Sequence, residues 1–163
     1  MYDVSRAEPY DVRRVPVAAE QLVSATYDYA DSFQLRFDHA DAHPAEEWVR
    51  AALEGAAPVV LALVRFVHGR VARFELRPDG ILGWEVLSST YDAVHIRTAG
   101  PLLRAEIVTR RRSDDAATFT TFLFYESRVT PVLWRVIGPV HRRVAPYLLR
   151  RAAVTLRQDR PVA

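Results

Sequence analysis

A period of two in the apolar residues predicts the first strand of this chain. Between Tyr27 and Phe37, apolar side chains fall at positions 27, 29, 33, 35 and 37, which is the alternation of a strand with one buried face. Four later runs are strand-like, and short polar breaks that suit hairpins separate them. These runs are Ile81–Ser88, Ala93–Thr98, Leu102–Arg111 and Thr118–Glu126. Together they predict an antiparallel sheet with one wet face and one buried face.

Two short helices are predicted between the first strand and the later ones. Pro44 begins the first helix, and the acids that follow it complement the helix dipole as far as about Glu54. Pro58 begins a second helix that continues to about His68, before Gly69. This second segment is apolar nearly all round and rich in β-branched residues, so a buried strand is the alternative.

The segment from Thr130 to Ala153 is predicted to be a long, basic, amphipathic helix. Pro139 and Pro146 fall inside it, seven residues apart and on nearly the same face, and they predict a bowed helix and not two broken ones. The apolar stripe consists of residues three and four positions apart. Its members are Leu133, Ile137, Val140, Val144 and Leu148.

The chain is predicted to form one α+β domain with two short extensions. Its 163 residues have the length of a single domain. We expect an N-terminal arm over residues 1–26, with a short helical turn near Ala18–Ser24, and the folded domain over residues 27–153. Residues 154–163 are expected to be a frayed tail.

Composition excludes several kinds of function. Half of the residues are hydrophobic and 26% are charged, which is typical of a globular protein. Because cysteine is absent, there is no disulfide framework or thiolate chemistry, and a cytoplasmic location is expected. No apolar run of 18 or more residues and no secretory signal are evident. All 22 basic residues are arginine, but 20 acids nearly balance them, so a nucleic-acid partner is not expected.

The predicted order of elements resembles the helix-grip fold of the polyketide cyclase and START-like (SRPBCC) superfamily. Three segments are similar to a poorly characterised bacterial branch of it: Gly80–Val86, Thr118–Tyr125 and Val140–Ala153. The resemblance covers about residues 27–153 and implies a curved antiparallel sheet wrapped around the long C-terminal helix. The superfamily usually has more strands than these, so either the segment from His68 to Phe74 contains a further strand or the sheet is trimmed.

The resemblance also implies a cavity between the sheet and the last helix. Its expected ligand is an apolar or aromatic small molecule such as a lipid, isoprenoid or polyketide, with no cofactor. The alternative is that the aromatic residues of these elements fill a solid core. The expected ligand-binding residues are Trp84, Phe122, Phe124, Tyr125, Trp134 and Tyr147.

Two residues are candidates for general acid–base catalysis in that cavity. Glu85 stands in an otherwise apolar strand, where a buried carboxyl would suit proton transfer; the alternative is an ion pair with Arg97. His141 lies beside the apolar stripe, about one turn from Trp134 and Tyr147, and suits proton transfer or simple packing. A cofactor-independent cyclase, dehydratase or isomerase is therefore the second hypothesis.

The remaining motifs indicate little chemistry. His39, Asp41 and His43 alternate in a loop, but no fourth ligand is near, so no metal site is predicted. The arginines of the last helix suggest a third hypothesis, a membrane-surface or protein-interaction module, although a solvated helix face is the preferred explanation for them. We expect a monomer or homodimer that is not stably inserted in a membrane.

Overall fold

The domain is built on one antiparallel sheet of six strands. The computed structural model describes residues 10–18, 26–38 and 40–158. The strands are β1 Tyr10–Val15, β2 Tyr29–Phe37, β3 Glu85–Ser89, β4 Ala93–Ala99, β5 Leu103–Ser113 and β6 Ala116–Tyr125. Their order across the sheet is β1-β2-β6-β5-β4-β3, and each neighbouring pair is antiparallel.

Three helices accompany this sheet. They are α1 Ala45–Glu54, α2 Pro58–Phe66 and α3 Thr130–Gln158, and α2 continues into a π-helical turn, Val67–Val71. Helix α3 packs on β1 and β2, and α1 packs on α3 and on β4 and β5. The predicted α+β, helix-grip architecture is confirmed: a curved antiparallel sheet, a long C-terminal helix and two shorter helices that follow the first strands.

Strand β1 corrects the prediction of an N-terminal arm. It pairs with β2 along its whole length, from Tyr10 opposite Phe37 to Val15 opposite Ser32. Tyr10–Val15 is therefore an edge strand of the domain, too short for its alternation to stand out in the sequence. The helical turn expected near Ala18–Ser24 lies outside the described residues except for Ala18.

The expected extra strand is this β1 and not the segment from His68 to Phe74, which begins in the π-helical turn and contains no strand. The strand predicted over Ile81–Ser88 begins only at Glu85. Leu82 and Gly83 have positive φ angles of 50° and 86°, and such angles belong to a turn and not to a strand.

Helix α3 is continuous through both of its prolines, as predicted. It reaches Gln158 and therefore extends into the segment expected to be a frayed tail. A proline in a helix removes one backbone hydrogen bond. Pro139 and Pro146 fall on nearly the same face, and the helix is unbroken at both positions.

The densest packing lies between α1, the end of α3 and the sheet. Trp48, Leu35 and Ala152 are at most 1% exposed and belong to one continuous cluster of buried side chains. A smaller cluster lies on the other face of the sheet, where Phe122 and Phe124 pack with Val108. The sheet thus has a helix-covered face and an outer face, and both contain buried aromatic rings.

Candidate functional site

A cavity of about 180 Å³ lies between the helix-covered face of the sheet and the three helices. Its wall is almost wholly apolar, and its polar side chains are Thr121, His68 and His141, together with the indole rings of Trp84 and Trp134. The strands contribute chiefly β5 and β6 residues, and α2 and α3 contribute branched aliphatic ones. Among the latter are Leu63, Val64, Val67, Leu133, Ile137, Val140, Val144 and Leu148.

The cavity opens to solvent between α2 and α3. Leu63 of α2 and Val140 of α3 both line the cavity, and they are 43% and 42% exposed. A side chain that contacts both the cavity and the solvent marks an opening. A ligand therefore has a route inward between these two helices, which the described residues do not close.

A buried carboxylate orients a histidine at the cavity wall. Asp31 of β2 is 2% exposed, and its carboxylate oxygens lie 3.3 and 3.2 Å from Nε2 of His141 on α3. The Tyr29 hydroxyl donates a hydrogen bond of 2.7 Å to the same carboxylate. An ionised carboxylate only accepts hydrogen bonds, so Nε2 of His141 carries the proton. The other ring nitrogen, Nδ1, has no hydrogen-bond partner among the described residues.

These contacts keep Asp31 ionised. Burial raises the pKa of its carboxyl, but the hydrogen bond and charge of His141 and the hydroxyl of Tyr29 outweigh burial and leave the pKa below its ordinary value. The pKa of Tyr29 is raised, first by burial and then by Asp31. The three groups therefore form a charged unit that ties α3 to β2 beside an apolar cavity.

His68, on the π-helical turn, is a second histidine of the cavity wall. Burial, with a smaller contribution from the charge of His141, lowers its pKa from 6.5 to about 4. At neutral pH this imidazole is uncharged. Its ring lies 5.3 Å from that of Phe74 and 5.6 Å from that of Trp84, measured between centroids.

Three buried ring nitrogens of the cavity wall have no hydrogen-bond partner among the described residues. They are Nδ1 of His68 and Nε1 of Trp84 and of Trp134. A buried polar atom without a partner costs about 1–3 kcal/mol, and native structures contain few of them. Three of the six buried side-chain atoms without a partner among the described residues therefore belong to residues that line this one cavity.

Gly138 makes room for one of these indoles. A Cβ atom added there would come within 3.3 Å of Nε1 of Trp134 and 3.2 Å of the Arg142 guanidinium. Glycine is unfavourable inside a helix. Here it lets the Trp134 ring lie against α3, where that ring also contacts His141 and Tyr29 at centroid distances of 5.3 and 5.0 Å.

The structure brings three of the sequence-predicted site residues together. Trp84, Trp134 and His141 all line the cavity. Tyr125 and Tyr147 are half-buried and pack against the main core without lining the cavity. Phe122 and Phe124 lie on the outer face of β6, because alternation along this strand turns Phe119, Thr121 and Leu123 towards the cavity instead.

Glu85 lies outside the cavity. Its carboxylate is 2.9 Å from Arg97 and 3.4 Å from Arg77, so the structure shows the ion pair with Arg97 that sequence analysis gave as the alternative. The neighbouring Glu106 is similarly engaged by His95 and Arg104, at 2.7 and 3.0 Å. Both carboxylates are therefore held by basic side chains, and neither of them lines the cavity.

The loop around Asp41 and His43, considered above as a zinc site, is held in place by hydrogen bonds to neighbouring protein groups. Asp41 is 4% exposed and accepts hydrogen bonds from Nε1 of Trp48 at 3.2 Å and from the backbone N–H of His43 at 2.9 Å. Arg111 donates to the backbone oxygen of Asp41 at 2.6 Å. His39 lies outside the described residues. The Asp41 carboxylate is therefore occupied by protein donors.

Sequence analysis missed Asp31 and His68. Asp31 carried a signal: it occupies the one polar position in the period-two series Tyr27 to Phe37 and therefore places a carboxylate on an otherwise apolar face. His68 carried a weaker one, as a histidine at the end of an apolar helix. The contact of Asp31 with His141 depends on the crossing of α3 over β2, which no local pattern encodes.

Within the described residues, no single helix is long and apolar enough to cross a membrane, although α1 and α2 with its π-helical turn would meet that test together as a pair bent by 92°. Comparisons with protein families, with curated proteins and with solved structures gave no match to this chain. The fold and the site thus define a helix-grip-like α+β domain with an apolar cavity.

Proposed function

We propose that this domain binds a small apolar or aromatic molecule in the cavity between its sheet and α3, as a ligand-binding member of the START-like, helix-grip superfamily. The observation that carries the proposal is the combination of an open apolar cavity with three unpartnered ring nitrogens in its wall. The order of strands and helices supports the superfamily assignment.

The volume of the cavity limits the size of the ligand. Apolar cavities of about 150 Å³ hold a molecule as small as benzene, and drug-sized ligands occupy about 300–1,000 Å³. At about 180 Å³, this cavity fits a one- or two-ring aromatic molecule or a short isoprenoid. A longer lipid chain or a polyketide would extend through the opening between Leu63 and Val140.

The unpartnered nitrogens indicate that the ligand carries an oxygen. The indole N–H groups of Trp84 and Trp134 only donate hydrogen bonds, so a carbonyl or hydroxyl oxygen satisfies them and a pure hydrocarbon does not. A neutral His68 is compatible with such a ligand and disfavours a strongly cationic one, since its environment already resists charge.

Calorimetric titration with a matched pair of probes tests this proposal. We expect 2-acetylnaphthalene to bind about two- to tenfold more tightly than naphthalene, which lacks the carbonyl, because a hydrogen bond contributes about 0.5–1.5 kcal/mol. Ala145→Leu places a larger side chain in the cavity wall and should abolish binding; Ala99→Leu, at an exposed position of β4, should not. Failure of both probes to bind the folded protein would reject the proposal.

A second candidate function, catalysis by proton transfer, is favoured by the pairing of His141 with Asp31. With Nε2–H held by the carboxylate, Nδ1 would accept a proton from the carbon next to a ligand carbonyl. The C–H electron pair would form the carbon–carbon double bond of an enolate, and the π pair of the carbonyl would move onto its oxygen. The ionised Asp31 would stabilise the imidazolium that forms. Return of the proton to the same or another carbon would complete an exchange or an isomerisation.

Deuterium exchange into the acetyl methyl group of 2-acetylnaphthalene, followed by NMR in D2O, tests this second function. The wild-type protein should accelerate exchange over buffer, and His141→Gln and Asp31→Asn should each lose most of the acceleration. Glu85→Gln is the matched control, because that carboxylate lies outside the cavity. An exchange rate equal to that in buffer would leave ligand binding alone as the function.

A further inference from the structure

Two exposed apolar stripes flank the opening of the cavity. On α2, Val59, Leu63 and Phe66 are 76%, 43% and 58% exposed, and they share one face of the helix. On α3, Val132, Val136 and Val140 are 63%, 71% and 42% exposed and also share one face, at four-residue steps. We call these six residues the rim. Leu63 and Val140 belong both to the rim and to the cavity wall, so the two stripes meet at the opening.

The segments that carry the rim contain cations and no acids. Residues 55–74 contain three arginines and residues 127–158 contain seven, and neither segment contains aspartate or glutamate, although the whole chain has 20 acids. Acidic residues are thus confined to the rest of the chain. The two segments that carry the rim thus bring charge of one sign only.

The arginines nearest the rim are also unpaired. Arg65, Arg128, Arg135 and Arg143 are exposed, and none of them has a carboxylate partner among the described residues. Elsewhere arginines pair readily, as Arg97 does with Glu85. Exposed apolar side chains among unpaired cations form a surface that combines hydrophobic contact with attraction for negative charge.

We propose that the rim docks onto an anionic lipid membrane. Apolar side chains among arginines are the composition of segments that lie in the membrane interface, where the apolar groups enter the acyl boundary and the cations meet acidic headgroups. A second copy of the chain is the less favourable occupant, because two rims facing each other would bring the unpaired arginines of both copies together without acids between them.

Docking in this way turns the cavity opening towards the bilayer. An apolar ligand dissolved in the membrane would then reach the cavity between Leu63 and Val140 without crossing water. The docking itself goes beyond ligand binding and does not require any molecule in the cavity, so it is measurable on the protein alone.

Sedimentation with lipid vesicles tests the proposal. The protein should bind vesicles of phosphatidylcholine and phosphatidylglycerol mixed 7:3, should bind phosphatidylcholine vesicles at least tenfold more weakly, and should release from the mixed vesicles as salt is raised. The double variant Phe66→Ser/Val136→Ser should bind the mixed vesicles at least tenfold more weakly. Both positions are exposed, so folding is preserved, and Leu87→Ser on β3 is the matched control with an exposed apolar residue away from the rim.

A second pair of variants separates charge from apolar contact. Arg65→Gln/Arg135→Gln should weaken binding, whereas Arg13→Gln/Arg36→Gln, the same loss of charge on exposed positions of β1 and β2, should not. Absence of sedimentation with the mixed vesicles would overturn the proposal. Unchanged vesicle binding by Phe66→Ser/Val136→Ser would also overturn it, because the interaction would then be nonspecific charge attraction. A third contradicting result is a wild-type protein that does not bind vesicles and forms a dimer that this double variant converts to monomer. None of these outcomes depends on the calorimetric titration of the cavity.

Discussion

The helices α1 and α2 are consecutive in the chain, but α1 is largely buried on one face and α2 is not. The amphipathic α1 buries Trp48, Val49 and Ala52, and its polar face carries Arg50 paired with acids on either side. In contrast, the more apolar α2 buries none of its residues. Apolar content alone therefore does not decide burial; the surface opposite each helix does, and opposite α2 the domain is hollow.

The difference extends to two halves of the domain. The filled half consists of α1 and α3 from Ala152 to Gln158, and the hollow half consists of Trp84, α2, its π-helical turn and α3 from Thr130 to Leu149. The α1 residues Val49, Ala52 and Leu53 lie at the boundary, because they are buried and also line the cavity. In the filled half, Nε1 of Trp48 donates to Asp41. In the hollow half, Nε1 of Trp84 and of Trp134 has no partner among the described residues. The indole N–H of the filled half is thus paired and those of the hollow half are not, and this difference locates the candidate site.

The largest expected effect is a matched loss of leucine from the two halves of α3. Leu156→Ala, in the filled half where the side chain is 5% exposed, should lower the free energy of unfolding by about 2–5 kcal/mol. Leu133→Ala, in the half-exposed wall of the cavity, should cost less than about 2 kcal/mol, because the side chain already lacks neighbours on one side. Urea unfolding of both variants measures the difference, and equal losses would contradict the division into halves.

His68 should make the stability of the hollow half depend on pH. The pKa of His68 is about 4 in the folded protein and about 6.5 in the unfolded chain. The unfolded chain therefore binds the proton first as pH falls. Stability is therefore complete above about pH 6.5 and declines towards pH 4, by about 3 kcal/mol in all from this residue. His68→Gln should flatten the free energy of unfolding between pH 7 and pH 4.5. An equally steep decline in the variant would show that the histidine is accessible to solvent.

The two carboxylates Asp31 and Glu85 should differ in their contribution to stability. Asp31→Asn removes the charge from a buried group bonded to His141 and Tyr29 and should cost about 1–3 kcal/mol. Glu85→Gln disturbs a partly exposed pair with Arg97 and should cost less than about 1 kcal/mol. Thermal unfolding of the two variants side by side gives the ranking, which would be reversed if Glu85 were the buried acid of the site.

The smallest expected effect on stability comes from filling the cavity. Ala145→Leu adds apolar volume where the wall borders empty space and should change the free energy of unfolding by less than about 1 kcal/mol, towards higher stability. Ala153→Leu, in the filled half at 2% exposure, should instead destabilise by about 1–3 kcal/mol through overpacking. Equal destabilisation of both would show that no usable space exists beside Ala145.

Local sequence patterns predicted the individual helices and strands better than the contacts between them. The alternation in β2, Pro44 before α1 and the apolar stripe of α3 each specify a segment, and all three were found where expected. Edge strand β1 was missed because its pairing with β2 is a long-range property. Both faces of β6 carry aromatic residues, so its alternation did not show which face meets the helices. For that reason Phe122 and Phe124 were wrongly predicted to line the cavity.

For the site itself, the sequence indicated single residues but not their partners. His141 was predicted from its position beside the stripe of α3, and Trp84 and Trp134 from their aromatic rings. Asp31 pairs with His141 across 110 positions of sequence, and such a contact follows from the crossing of helix over sheet. The exposure of the rim was also not predicted from the sequence, because the apolar run of α2 predicts burial.

The indole N–H signals of the three tryptophans test the central claim most directly, since one tryptophan lies in the filled half and two line the cavity. In a two-dimensional ¹H–¹⁵N NMR spectrum titrated with 2-acetylnaphthalene, the signals of Trp84 and Trp134 should shift and saturate together, while that of Trp48 should stay in place because Asp41 already holds its N–H. A titration in which no indole signal moves, or in which Trp48 shifts as much as the other two, would contradict a ligand site in the hollow half.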